Sequence, residues 1–189
     1  MLLLRYATLI VVAAVLAVLA ALGISALNAP PAETALSPVK TCTGGTIELN
    51  GDEKETLVLH NQARADRGLP RLCVHPTLTK AARAHSQEML EKDYFSHDSY
   101  NGETSQERLK RFGYTSKGYS YYKIGENIAW GNGSYGSPNS IFKSWMDSSG
   151  HRANILEKDF RQVGIGARTG NYQGHAGSTV YTVDFGTRR

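Results

Sequence analysis

The sequence predicts an α+β domain in which helices flank a small, mostly antiparallel sheet. One observation is a set of four helical segments bounded by cap and stop residues, at residues 53–67, 76–92, 104–113 and 137–150. The other is a pair of alternating segments near the C terminus, residues 162–168 and 178–185, joined by a glycine-rich stretch. The second pattern predicts an antiparallel hairpin, so the fold class is not all-helical.

An uncharged apolar segment, residues 6–32, opens the chain behind Arg5. A cleavable signal peptide has an apolar region of about 7–15 residues and a spanning helix needs about 20, so this run lies at the spanning end, although small residues near Ala26 and Ala29 offer cleavage sites. We therefore predict that residues 1–29 are a signal peptide or an N-terminal membrane anchor. Either one makes the protein extracellular, secreted or anchored, and the membrane is a partner only if this segment is uncleaved. Residues 30–41 are predicted to be a flexible linker and residues 42–189 the folded domain.

The number of cysteines indicates the redox compartment of the protein, and the distribution of charge limits its class of partner. Cys42 and Cys73 are the only cysteines, and an even number in an exported chain predicts a disulfide between them. The net charge of +4 is scattered rather than gathered in a stripe. We therefore expect no nucleic-acid partner, whereas mild attraction to an anionic envelope polymer is compatible with this charge.

Each helix is predicted from its ends. The first stops at Gly68, and the second begins at Pro76, a favourable first-turn residue, and carries His85 on its apolar stripe. We interpret His85 as a packed core histidine. The third starts with a capping box at Thr104, and the fourth has Ser137 as its cap and closes at residue 150.

The strands follow from alternation. In residues 178–185, Val180, Thr182 and Asp184 alternate with Tyr181, Val183 and Phe185. Residues 127–130 are a predicted third strand.

Short clusters of polar, aromatic and glycine residues recur through the domain, at residues 60–64, 95–97, 125–130, 145–152, 163–166 and 181–186. Together and in this order they resemble the CAP superfamily of cysteine-rich secretory, antigen-five and pathogenesis-related class-one proteins, also called the SCP domain. The run from residue 145 to residue 156 is similar to the bacterial branch. The resemblance covers about residues 53–186 and implies the CAP/SCP fold, an α-β-α sandwich.

The resemblance also implies a central cleft floored by His97, Glu126 and His151. Many eukaryotic members place a second glutamate where this chain has Ser148, and the nearest acid here is Asp147. The departure removes one carboxylate from the cleft. We expect His97, Glu126, Ser148 and His151 to line it.

Three chemistries are compatible with this set. His97 and His151, with the Glu126 carboxylate, are candidate ligands for a divalent metal such as zinc, whose bound water would be a nucleophile. Without metal, His97, Glu126 and His151 are candidate catalytic residues in which Glu126 orients a general base. The third alternative is a buried hydrogen-bond network with a purely structural role. The same structural interpretation is favoured for His60, Asn61 and Arg64, whereas His75 and His175 are predicted to be surface loop residues.

Three classes of function follow, the last of which is a structural element of the cell envelope or of a spore coat. The first is a binding or interaction module for a small-molecule, lipid or glycan ligand, with Glu126 in its cleft. The second is a metal-dependent hydrolase that acts on extracellular or cell-wall polymers. No Gly-x-Ser-x-Gly nucleophile elbow is present, and whether the domain is an enzyme stays open from the sequence.

Overall fold

The structure, a computed structural model, describes residues 36–189. The predicted signal or anchor segment lies outside the described residues. Within residues 36–189, no helix has the length and apolar character needed to span a bilayer.

Five α-helices and two sheets make up the described part of the chain. The helices are α1 Gly51–Ala65, α2 Pro76–Lys92, α3 Ser105–Arg111, α4 Pro138–Asp147 and α5 Ser149–Leu156. The strands are β1 Ser37–Lys40, β2 Thr46–Leu49, β3 Cys73–Val74, β4 Tyr122–Asn132, β5 Gln162–Tyr172 and β6 His175–Arg188. A 3-10 turn, Gly133–Gly136, follows β4. The α+β prediction is confirmed.

The larger sheet places its strands in the order β3-β5-β6-β4. β3 runs parallel to β5, and the other pairs are antiparallel. β1 and β2 form a separate antiparallel hairpin, and β1 lies in the segment predicted as linker. The predicted strand at residues 127–130 is the middle of the longer strand β4.

Helix ends follow the predicted caps closely. The Asn50 side chain caps α1 in a capping box with Glu53, so the helix begins two residues before the predicted position. The Thr104 box and the Ser137 cap start α3 and α4 as predicted. Helix α5 was not predicted, because Gly150 is a typical helix-end residue. The chain instead breaks at Ser148, whose backbone is extended, and Gly150 continues within α5.

The two faces of the large sheet are covered by different helices. Alternate side chains of β6, including Val183 and Phe185, pack with Trp145 of α4 and Ile155 of α5 in the main apolar cluster. The opposite face lies against α2, where the Ser86 hydroxyl donates to Thr182 of β6. The result is the α-β-α arrangement that the sequence resemblance implied.

Close approach between α2 and β5 depends on a glycine. A Cβ atom at Gly164 would lie 2.0 Å from the carbonyl carbon of Leu78 and 2.2 Å from the amide of Thr79. Helix backbone therefore rests directly on the strand, which excludes solvent from this part of the sheet face.

The predicted disulfide between Cys42 and Cys73 is present, across a sequence separation of 31 residues. It ties the chain before β2 to β3 at the edge of the large sheet. A structural disulfide indicates an oxidising compartment outside the cytoplasm.

The prediction for His75 was wrong. Its side chain is buried at 3% exposure, and its Nδ1 accepts the Thr77 amide as the cap of α2. Burial, and then the charge of Arg188, lowers the pKa of His75 to about 4. A helix cap needs only one acceptor atom, which a histidine nitrogen supplies. His175 is exposed, as predicted, but it begins β6 instead of lying in a loop.

Candidate functional site

Glu126 is the centre of the cluster. It lies on β4, an outer strand of the large sheet, and it faces the α2 side because its cross-strand partner is Asp184. Its side chain is only 4% exposed. A carboxylate this buried must be paired or hydrogen-bonded to remain charged.

Two side chains provide that pairing. The Nδ1 atom of His97 lies 2.7 Å from Oε1 of Glu126, and the guanidinium of Arg108 donates to Oε2. His97 comes from the loop after α2, and Arg108 comes from α3. Arg108 is 1% exposed, so the ion pair is buried and little screened by solvent.

Arg108 also fixes the loop that carries His97. Its Nη1 donates to the backbone carbonyl of His97 and to the hydroxyl of Ser99, both at 3.1 Å. One guanidinium thus holds both partners of the histidine–carboxylate contact. No motif in the sequence marked this arginine.

His85 supports the same loop from α2. It is 1% exposed, and its Nε2 atom lies 2.9 Å from the carbonyl of Ser96. Burial, and then the charge of Arg108, lowers its pKa. The prediction of a packed core histidine is confirmed, and its contact positions the residue next to His97.

His151 lies on α5 at the opposite face of the sheet, and among the described residues its side chain makes no hydrogen bond to His97 or Glu126. Asn127, the residue after Glu126, donates to the backbone carbonyl of His151 at 3.0 Å. Asn154 donates to the carbonyl of Glu126 at 3.1 Å and to Oδ1 of Asn127 at 2.9 Å. These amides fasten α5 to β4 and so fix the backbone of His151.

Charge effects connect the two histidines. The hydrogen bond that His97 donates to Glu126 is the main cause that raises the pKa of His97. Burial, and then the charge of His97, lowers the pKa of His151. Burial alone would raise the pKa of Glu126, but the His97 hydrogen bond and the Arg108 charge together lower it. The site is therefore built around an ionised Glu126 and a readily protonated His97.

Ser148 occupies the junction between α4 and α5, half-buried, and its side chain makes no cap hydrogen bond. Asp147 is 67% exposed and pairs with Lys143 at 2.6 Å. The acid nearest in sequence to the expected second carboxylate is thus engaged in a surface pair.

A buried acid that the sequence analysis did not assign to the cluster is Asp184. It is fully buried beside Glu126 across the β4–β6 pair. Burial, and then the charge of Glu126, raises its pKa well above the usual range. The signal was available, since an acid alternated with valine and threonine in a strand predicted to be buried.

The residues do not fit a three-ligand zinc site. Both carboxylate oxygens of Glu126 are engaged, one by His97 and the other by Arg108. Within residues 36–189, no three histidine, cysteine or acidic side chains are grouped so as to hold a metal ion. A catalytic zinc needs three protein ligands and an open position, and the two imidazoles alone fall short of that number.

Cavities are found elsewhere on the domain. One of about 330 Å³ is lined by residues of α3 and the following loop, including Lys110, Tyr114 and Lys117. Another of about 340 Å³ lies beside Tyr135 and Asp147. Neither includes His97 or Glu126.

The structural interpretation of His60, Asn61 and Arg64 agrees with their positions. Arg64 is fully buried and donates to four backbone carbonyls, those of Pro70, Ile155, Glu157 and Phe160. His60 lies among core aromatic rings, and Asn61 bonds both backbone groups of Leu72.

The order of motifs, the α-β-α sandwich and the His97–Glu126 pair agree with one family. Its sequence profile, that of the cysteine-rich secretory protein family (CAP), matches residues 57–185. The chain belongs to the CAP family. The family assignment that the sequence motifs suggested is confirmed.

Relatives of this CAP domain are found in several bacteria. YkwD of Bacillus subtilis is 37% identical over 139 residues, which cover 74% of this chain and 51% of YkwD. The B. subtilis membrane protein YlbC is 32% identical over 114 residues, 60% of this chain and 31% of YlbC. The chain therefore spans about half the length of YkwD and a smaller share of YlbC.

Solved structures agree with the fold. A Bacillus anthracis extracellular protein containing an SCP domain superposes with a TM-score of 0.58 at 30% identity, covering 71% of this chain and 40% of that protein. An outer surface protein of Borrelia burgdorferi gives a TM-score of 0.59 at 19% identity, covering 82% of this chain and all of that one. The second likeness concerns the fold alone.

Proposed function

We propose that this CAP domain is an extracellular binding module that captures an anionic group at His97. The observation that carries the proposal is the His97–Glu126 contact of 2.7 Å on a ring whose side chain is 54% exposed. Glu126 occupies Nδ1, so Nε2 is the ring nitrogen that would meet a ligand. The buried Glu126–Arg108 pair holds one side of the His97 ring, and the half-exposed ring can meet a ligand with its other side.

Charge favours an anion at this position. Arg108 balances the charge of Glu126, so protonation of His97 leaves the cluster with one net positive charge. The raised pKa keeps His97 cationic to higher pH than an ordinary histidine. The whole chain is also basic, with a net charge of +4. Phosphate or carboxylate groups of envelope glycans and lipids are the matching ligand chemistry.

Location supports the same proposal. The Cys42–Cys73 disulfide requires an oxidising compartment. One structural relative, from Bacillus anthracis, is an extracellular protein. Residues 1–29 would deliver the domain across the membrane, as a cleaved signal or as a retained anchor.

The hydrolase alternative has less support. A histidine–carboxylate pair can serve as a general base, but a covalent mechanism also needs a nucleophile within hydrogen-bond reach. In residues 36–189, neither the His97 nor the His151 imidazole is hydrogen-bonded to a serine, threonine or cysteine side chain. The metal route would need a third protein ligand besides the two imidazoles, and Glu126 already accepts from His97 and Arg108. Binding is therefore the function that the geometry supports best.

Titration calorimetry with the full-length chain tests the proposal. The probes are a glycerol-phosphate oligomer and an oligogalacturonide, with a neutral maltooligosaccharide of matched length as the control. We expect binding of an anionic probe at pH 5.5 that weakens as pH rises through the pKa of His97. Loss of a charged hydrogen bond, worth about 1.5–3 kcal/mol, should weaken binding roughly tenfold to a hundredfold in His97→Ala.

His175→Ala is the matched control, since His175 is exposed and stands outside the cluster. It should bind the anionic probes as the parent does. Equal binding by His97→Ala and the parent, or turnover of either anionic polymer, would contradict the proposal.

A further inference from the structure

We infer that Asp184 is a second acid of the cluster, a neutral carboxylic acid that donates its proton to Glu126 and thereby positions His97. The inference concerns the cluster itself and does not depend on which ligand binds. It assigns a positioning role to a residue on β6 that the motif pattern leaves without one.

Position is the first support. Asp184 is opposite Glu126 on one side and opposite Gly164 on the other, so the three residues share one face of the sheet. That face is covered by α2, whose backbone rests on Gly164. Asp184 is consequently fully buried, at 0% exposure.

The hydrogen-bond count is the second support. Within the described residues, no side-chain or backbone group donates a hydrogen bond to either carboxylate oxygen of Asp184. A buried, unpartnered carboxylate anion is far costlier than a buried neutral acid. Neutralisation by a proton removes most of that cost and supplies one O–H donor.

The groups around Asp184 determine which atom accepts a hydrogen bond from its O–H group. Glu126 lies opposite it on β4, and electrostatic interactions also link it to Arg108 of α3 and to Tyr122 of β4. The Arg108 contacts are already directed to Glu126, Ser99 and the carbonyl of His97. Arg108 carries only donors, and its Nε–H has no hydrogen-bond partner among the described residues, so the ionised Glu126 is the acceptor that faces the Asp184 proton.

Electrostatics agree with this assignment. Burial and the negative charge of Glu126 hold the pKa of Asp184 well above its usual range, and Arg108 offsets this only in part. Farther away, His97 and His85 act on Glu126, and both favour its ionised form. One proton is therefore shared unequally between two acids, with Asp184 holding it.

Three donors then converge on Glu126, from Arg108, His97 and Asp184. If Glu126 only accepts hydrogen bonds, His97 must carry its proton on Nδ1. This fixes the neutral tautomer of His97 and leaves its Nε2 atom without a proton. The resemblance to eukaryotic CAP proteins predicted that the cleft lacks its second carboxylate. In this chain a second acid is present, but it comes from a strand beneath the cluster and is protonated.

Two variants test the inference on the full-length chain. Asp184→Asn keeps the shape and a donor without a titrating proton, and Asp184→Leu removes the donor. Urea unfolding would be measured between pH 5 and pH 8 for the parent and Asp184→Asn. An acid with a raised folded-state pKa stabilises the fold below its unfolded value of about 3.9 and loses that contribution as pH rises.

The ratio of the parent unfolding constant to that of Asp184→Asn should therefore rise about tenfold per pH unit until Asp184 ionises in the folded state. The asparagine variant becomes the more stable protein as pH increases. A ratio independent of pH, or one that falls with pH, would mean that Asp184 is ionised and would overturn the inference.

The positioning role has its own readout, the imidazole ¹⁵N spectrum of His97. We expect the parent and Asp184→Asn to show the Nδ1–H tautomer above the pKa of His97, and Asp184→Leu to show a mixture. Identical His97 spectra in Asp184→Leu and Asp184→Asn would overturn it. Both measurements are made without ligand, so their failure is distinguishable from failure of the proposed anion binding.

Discussion

Removal of Arg108 is the sharpest perturbation of the cluster. Arg108→Met keeps most of the apolar stem but deletes the guanidinium that pairs with Glu126. Glu126 then stays buried, at 4% exposure, with His97 as its remaining charged neighbour. Deletion of one partner of a buried ion pair costs about 3–5 kcal/mol. The two lost bonds to the His97 loop belong to the same guanidinium and should loosen that loop.

A double-mutant cycle shows whether the loss comes from the pair. Glu126→Gln removes the charge on the other side, and the double variant has no unpaired ion. We expect the double variant to be about 2–3 kcal/mol more stable than the sum of the single losses predicts. Urea unfolding at pH 7 of the four proteins measures this coupling.

A surface pair provides the control for the cycle. Lys143 and Asp147 are 79% and 67% exposed, so Lys143→Met should cause no measurable loss of stability. If the Arg108 and Glu126 substitutions were additive within about 0.5 kcal/mol, the two side chains would be independent. That result would refute the reasoning that a buried ion pair organises the site.

Two further predictions concern the scaffold. Replacement of both Cys42 and Cys73 by serine should cost roughly 3–4 kcal/mol, because the bridge closes a loop with a separation of 31 residues; thermal unfolding with and without reductant measures it. Gly164→Ala should lower the free energy of unfolding by roughly 3 kcal/mol or more, because its Cβ would lie 2.0 Å from the backbone of α2. The control is Gly150→Ala, whose Cβ would meet nothing within 4 Å, and this change should be neutral or slightly stabilising. Equal unfolding midpoints for the two alanine variants would contradict the close-packing argument.

Interactions between residues close in sequence were sufficient to predict most of the helices and their ends. The α2 helix was predicted at its observed bounds because proline at its start and the apolar stripe along it are both local features. The caps at Thr104 and Ser137 acted in the same way. These interactions join residues three or four positions apart, which is the range over which a single sequence is informative.

The errors have a different origin. Gly150 has no local sequence feature that distinguishes a helix end from the first turn of a new helix, because that choice depends on the extended backbone of Ser148 before it. His75 was predicted to be exposed because its burial comes from Tyr114 and Arg188, which are distant in sequence. A single sequence does not show which distant side chains will cover a residue.

Only part of the candidate site could be predicted from the sequence, because the rest depends on contacts between residues that are distant in the chain. His97, Glu126 and His151 were found through motif resemblance, and the structure brings His97 and Glu126 into direct contact. Arg108 and Asp184 were not recognised, since their importance comes from burial against Glu126. The second acid is supplied by a strand, far from the position where the motif pattern directs attention.

The most direct test is a ¹⁵N NMR titration of the imidazoles in the full-length protein. The central claim is that the buried Glu126–Arg108 pair holds His97 in a readily protonated state. We predict a pKa for His97 above the ordinary value of about 6.5, with its Nδ1 proton retained above that pKa, and a pKa for His151 below it. Two histidines that titrate together at the ordinary value, with Nε2–H as the neutral form of His97, would contradict the claim.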